Sequence, residues 1–115
     1  QESRKILNIQ DLKITCTAIR VPTLACHCES VNVEFQKPFD MTALVHGLSN
    51  QKGLKLWPSD QGLPLNRLCQ GRDDVFVGRI RKDESVESGI NLWIVSDNLR
   101  KGAATNAVQI GECLL

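Results

Sequence analysis

The run Arg20-Val21-Pro22-Thr23-Leu24-Ala25-Cys26-His27-Cys28-Glu29-Ser30 sets an arginine, a stiffening proline and a histidine within eight positions. Arginine presents a planar fork that donates two parallel hydrogen bonds to a carboxylate and stays charged. Histidine titrates near neutrality, so it can accept a proton and return it. Together they read as an anion clamp and a proton carrier delivered to one place. Each also has a plainer reading: Arg20 as a salt-bridge partner, His27 as a hydrogen-bonded structural histidine. His46 keeps that plainer reading. No nucleophile is evident beside the pair.

The cysteines flanking His27 invite a metal. On a strand, Cys26 and Cys28 project to one side and the imidazole to the other, a poor arrangement for a shared ion. No second paired-ligand motif completes a tetrahedral set, so no metal site is expected. The two thiols matter more as groups an oxidant could reach. Five cysteines are an odd count, and nothing ahead of them resembles a signal peptide. Free thiols in a reducing, cytoplasmic setting are expected.

Several elements must carry this run. Gln1 to Gln10 reads as the tail of a helix turning at Asn8 to Asp11. Leu12 to Val21 alternates, with Ile14, Cys16, Ala18 and Arg20 on one face and Thr15, Thr17, Ile19 and Val21 on the other. Its β-branched content predicts a strand ended by Pro22. Ser30 to Phe35 predicts a second strand. Asp40 caps a helix striped by Leu44, Val45 and Leu48, and Leu54 to Trp57 is a short strand. Ser59 to Asp74, with Gly62, Pro64 and Gly71, reads as an irregular excursion. Val75 to Arg81 and Ile90 to Ser96 are strands joined by a polar hairpin connection. A final helix carries Ala103 to Leu114 and is capped by Ser96 or Asp97. The order β-β-α-β-β-β-α is α+β: a mixed, mostly antiparallel sheet with helices packed on one face, a two-layer sandwich.

The totals exclude several classes. Fourteen Lys and Arg nearly cancel thirteen Asp and Glu, so no global field recruits nucleic acid or anionic membrane. Arg67, Arg72, Arg79, Arg81 and Lys82 are interrupted by acids and read as a solvated face. Three Phe, two Trp and no Tyr leave little for base stacking. No apolar run approaches the about 20 residues a bilayer span needs.

Arg20-Val21-Pro22 followed by His27 and Glu29-Ser30 resembles the substrate-binding segment of the aspartate-semialdehyde dehydrogenase family. Asp74-Val75-Phe76-Val77-Gly78-Arg79-Ile80-Arg81 resembles a later strand of that family. Leu92-Trp93-Ile94-Val95-Ser96-Asp97-Asn98-Leu99-Arg100-Lys101-Gly102-Ala103-Ala104, then Asn106 to Ile110, resembles its C-terminal segment. The likeness runs through the whole chain in order.

That resemblance implies a glyceraldehyde-3-phosphate-dehydrogenase-like C-terminal domain. It implies a reaction too: NADPH reduces β-aspartyl phosphate to aspartate semialdehyde with release of phosphate, on the diaminopimelate, lysine, threonine and methionine routes. By position, Arg20 is similar to the arginine that binds the substrate carboxylate and His27 to the acid/base. Asn98 matches a polar residue near NADP, although a simple helix cap is an equal reading of its residue type. The family's Gly-rich nucleotide-binding segment and its Asn-Cys nucleophile are not in this sequence. None of Cys16, Cys26, Cys28, Cys69 and Cys113 has that context. Residues 1–115 are therefore expected to be one partial domain, opening on Gln1 rather than Met and belonging to something longer. Residues 97–115 would pack near the missing nucleotide-binding domain. The piece is expected to be inert alone and to form a homodimer or homotetramer through uncovered apolar faces. Other expectations are a noncatalytic dimerisation module, or a related reductase of malonyl-CoA or N-acetyl-glutamyl phosphate.

Overall fold

The computed structural model describes residues 2–115. Its elements run α1 (Glu2–Leu7), β1 (His27–Glu34), α2 (Met41–Ser49), β2 (Leu54–Leu56), α3 (Asn66–Cys69), β3 (Val75–Lys82), β4 (Gly89–Ser96) and α4 (Thr105–Glu112). A single 3-10 turn lies at Ser59–Gln61, and a π-helical turn at Arg100–Ala104 leads directly into α4. The strands form one sheet in the order β1-β4-β3-β2. β1 and β3 flank β4 antiparallel, while β2 joins β3 parallel. The expected mixed, mostly antiparallel sheet with helices is present.

Local chemistry explains most of the elements. Asn8, at φ 54°, turns the chain out of α1, and the Ile9 amide closes back on the Arg4 carbonyl at 3.0 Å. Asp40 caps α2 by accepting the Ala43 amide at 2.7 Å, one of the donors a helix start leaves free. In the β3–β4 connection the Ser85 amide and hydroxyl both donate to Asp83, which fixes the turn. A bulge between Gly78 and Arg81 leaves Arg79 at φ 56°.

The main core cluster lies on one face of the sheet, while Val77 and Ile90 are buried on the other. Val95 and Phe76 are cross-strand partners. They cluster with Cys26 and Cys69, and Trp57, Trp93 and Ala25 pack around them. The rings of Trp57 and Phe76 meet edge-on at 5.8 Å, a favoured aromatic geometry. The excursion of residues 59–74 folds back to cover this face. Pro64 and Cys69 are fully buried, and the Trp93 indole donates to the Pro64 carbonyl at 3.1 Å. Gly78 permits that approach, since a Cβ there would stand 2.8 Å from Pro64 Cδ.

Leu12–Val21 departs from expectation: it forms no strand. The segment is irregular and, apart from half-buried Leu12, its residues are exposed, with Ile19 at 79%. Its alternation gave neither face a purely apolar set, so pairing would have buried Thr15 and Thr17 or Arg20. Without a burial reward the strand has nothing to offset the ordering of its backbone. The sequence order therefore becomes α-β-α-β-α-β-β-α. The second predicted strand begins earlier, at His27, because its ladder to β4 starts where β4 ends, at Ser96.

Candidate active site

His27 is the first residue of β1 and pairs with Ser96, the last of β4. Strand alternation puts its side chain on the face opposite Cys28 and its partner Val95. His27 is exposed. His46 stays on the surface of α2, against Asn50.

The residue before His27 is held unusually. Cys26 has φ 71° although it is not glycine, a conformation that costs about 1–3 kcal/mol for a residue with a Cβ. Three contacts hold it there. Its thiol is buried against Cys69, Phe76 and Val95, and donates to the Asn66 carbonyl at 3.3 Å. Its amide donates to Asn98 Oδ1 at 2.9 Å. The expectation that Cys26 and Cys28 form a matched pair on a strand fails: Cys26 precedes the strand and is buried, whereas Cys28 is exposed. Among the described residues no cluster of three His, Cys, Asp or Glu could hold a metal ion.

Three of the thiols, Cys26, Cys28 and Cys69, are tuned away from nucleophilic work. Burial first, then the Asp97 and Cys28 charges, push the Cys26 thiol up. Exposed Cys28 is raised too, by partial desolvation first and then by the Glu29 charge. Cys69 is raised to about 11, chiefly by burial. A reactive cysteine needs the opposite, a stabilised thiolate.

Asn98 and His27 come together at one end of the sheet. The helix-capping role falls to the neighbour of Asn98: buried Asp97 accepts the Leu99 and Arg100 amides on Oδ1, at 2.9 and 3.3 Å. Its other oxygen accepts the Gly71 amide at 2.8 Å. These bonds, Gly71 foremost, hold the Asp97 carboxyl below the usual range. Asp97 and Asn98 therefore tie the end of β4 to the turn after α3 and to the start of β1. Sequence reading found Asp97 as a cap and missed both long-range ties. A polar pair directly after a strand was the available signal.

Arg20 is placed otherwise. It is exposed on the irregular segment, two residues before Pro22, and has no ion-pair partner among the described residues. A second charged group, Asp73 with Arg100 and Thr105, lies beside α4. Arg100 grips Asp73 through two bonds of 2.8 and 2.9 Å, and Thr105 donates at 2.6 Å. Those bonds lower the Asp73 carboxyl to about 2.

Comparison with known proteins decides the family. Residues 1–101 match the semialdehyde dehydrogenase, dimerisation domain. The chain belongs to that family. Its relatives include an aspartate-semialdehyde dehydrogenase of Prochlorococcus marinus, 47% identical over 99% of this chain and 34% of the relative. One from Synechocystis is 45% identical over 100% and 35%. The crystal structure of aspartate semialdehyde dehydrogenase II from Vibrio cholerae, complexed with ASA, superposes with a TM-score of 0.90 at 44% identity, over 98% of this chain and 34% of that one. This dimerisation domain thus spans about a third of the length of the curated relatives it matches. Its fold is the glyceraldehyde-3-phosphate-dehydrogenase-like C-terminal domain that the resemblance implied, shared with these solved dehydrogenases.

Proposed function

We propose that this chain supplies the C-terminal part of an NADP-dependent aspartate-semialdehyde dehydrogenase. The whole enzyme converts β-aspartyl phosphate to aspartate semialdehyde and phosphate, in amino-acid biosynthesis. The reading is supported most by the likeness of the entire chain to enzymes of that name, at 45–47% identity. In it, Arg20 binds the substrate carboxylate through its guanidinium fork. His27 moves a proton between the attacking thiol and the developing product. The nucleophile comes from outside this chain, which agrees with raised thiols at Cys26, Cys28 and Cys69.

The donor chemistry of Asn98 suits a cofactor amide or hydroxyl. Its oxygen is committed to Cys26, which leaves the half-buried amide group as the donor toward a ligand. When bound, NADPH would supply the hydride; most of its binding surface would lie outside these residues. Residues 97–115, whose Val108, Ile110 and Leu114 are exposed, would pack toward the nucleotide-binding part. The same logic of uncovered apolar surface, with the name of the matching family, supports a homodimer or higher assembly. Five free cysteines support a cytoplasmic site. No helix among the described residues is long and apolar enough to cross a membrane.

The test is made in the complete enzyme and in the 115-residue chain. The complete enzyme should oxidise aspartate semialdehyde with NADP only when phosphate is present. The chain alone should show no turnover. Turnover of malonyl-CoA or N-acetyl-glutamyl phosphate in preference to the aspartyl substrate would reassign the activity to a related reductase.

A further inference from the structure

We propose that Asn98 is a positioning residue for His27, acting through the amide of Cys26. The inference rests on the dehydrogenase reading of His27 and deepens it by naming what aims the imidazole. The β1–β4 ladder stops at the pair His27 and Ser96, so the backbone on either side of the histidine is supported unequally. On its C-terminal side lies a full strand. On its N-terminal side lies Cys26, in a left-handed conformation that a residue with a Cβ rarely adopts.

Where β4 has ended, the Asn98 side chain supplies the acceptor that the strand no longer can. Its Oδ1 lies 2.9 Å from the Cys26 nitrogen, across 72 residues of sequence. Asn98 is itself fixed, because the preceding Asp97 is buried and spends both oxygens on the Gly71, Leu99 and Arg100 amides. The Cys26 thiol, donating to the Asn66 carbonyl, completes the anchor from α3. Removing the Asn98 oxygen leaves the Cys26 amide unpaired beside the core and releases the left-handed turn, so the ring that follows loses its fixed direction. General acid–base catalysis depends on that direction to within hydrogen-bond reach.

The experiment uses the complete enzyme with Asn98→Ala and Asn98→Asp, read by steady-state kinetics and by amide hydrogen exchange across residues 25–28. Asn98→Ala should lower kcat by about tenfold or more with the substrate KM little changed, since Arg20 is untouched, and the Cys26 amide should exchange faster. Asn98→Asp keeps the acceptor and gives up the amide donor. It should recover most of the lost kcat and the slow exchange, even where the cofactor's KM rises. The proposal is overturned if Asn98→Asp is as slow as Asn98→Ala with Cys26 still protected, because the amide donor alone would then matter. It is equally overturned if Asn98→Ala leaves exchange at Cys26 unchanged. An unsubstituted enzyme without turnover would overturn the dehydrogenase reading instead, and the exchange data would still judge the anchor.

Discussion

Arg20 and His27 stand seven residues apart in sequence and are held by opposite means. His27 begins a strand, pairs with Ser96 and follows a residue pinned by Asn98 and Asn66. Arg20 lies on an exposed, irregular stretch between α1 and β1. The difference separates two kinds of functional group. In the proposed roles, a histidine that moves a proton must be aimed closely, and the sheet end and the Cys26 anchor fix the His27 backbone within this chain. In the same proposal, a guanidinium on a long side chain reaches the substrate carboxylate from an irregular, exposed backbone, with the rest of the complete enzyme packing around it.

The largest effects should fall on catalysis and split along that line. His27→Asn in the complete enzyme should lower kcat by about 10²- to 10⁴-fold, the usual worth of a general acid–base group. Substrate binding should remain measurable. Arg20→Lys should instead act mainly on the substrate KM, raising it by about tenfold or more as a bidentate contact becomes a point charge. Steady-state kinetics decides both. A normal saturation curve for Arg20→Lys, or full turnover for His27→Asn, would remove the corresponding role.

Stability should split the same way. Phe76 is buried at 2% exposure and packs against Val95, Trp57 and Cys69. Its replacement by Ala should cost about 3–5 kcal/mol, a large part of what a domain this size has to lose. Ile19 is 79% exposed, and Ile19→Ala should stay within about 0.5 kcal/mol. Urea unfolding of the two variants measures the contrast. A comparable loss for both would mean that the segment before β1 packs as firmly as the core.

What could be read from the sequence follows the range of the forces involved. The β3–β4 hairpin and α2 were legible because alternation, turn polarity and the Asp40 cap act within a few residues. The excursion after β2 was seen as irregular, but its burial of Pro64 and Cys69 against the sheet was not. Leu12–Val21 misled because alternation signals a strand only when one face finds an apolar neighbour. The roles proposed for Arg20 and His27 rest on family resemblance more than on residue chemistry. The left-handed Cys26 and its bond to Asn98 had no local signature, since the partners are 72 residues apart. Asn98 carried a cap-like residue type that Asp97 uses in its place.

A subtler contrast concerns acid, and it separates two carboxylates that both bond Arg100. Asp97 and Asp73 are both held below the usual carboxylate range, Asp97 by backbone amides and Asp73 by Arg100 and Thr105. A carboxyl with a depressed folded value adds stability that is fully present above its unfolded value, near 4. That stability fades as the pH falls through the folded value. Below about pH 4 both contributions should therefore weaken, with the Asp73 share persisting toward about pH 2. Asp97 is 4% exposed, so salt should screen it little, whereas the half-exposed Asp73–Arg100 pair should lose much of its worth in high salt. Asp97→Asn should lower the melting temperature by several degrees at pH 7, because its new amide faces the Gly71 N–H with a donor in one orientation or the Leu99 and Arg100 N–H groups in the other. Native and variant curves should converge on acidification. Asp73→Asn should shift melting less, and only at low salt. Melting followed by circular dichroism from pH 7 to 3, at two salt concentrations, reads all of this. A salt-sensitive Asp97 would place it at the solvent surface and weaken its claim to anchor the end of β4 beside His27.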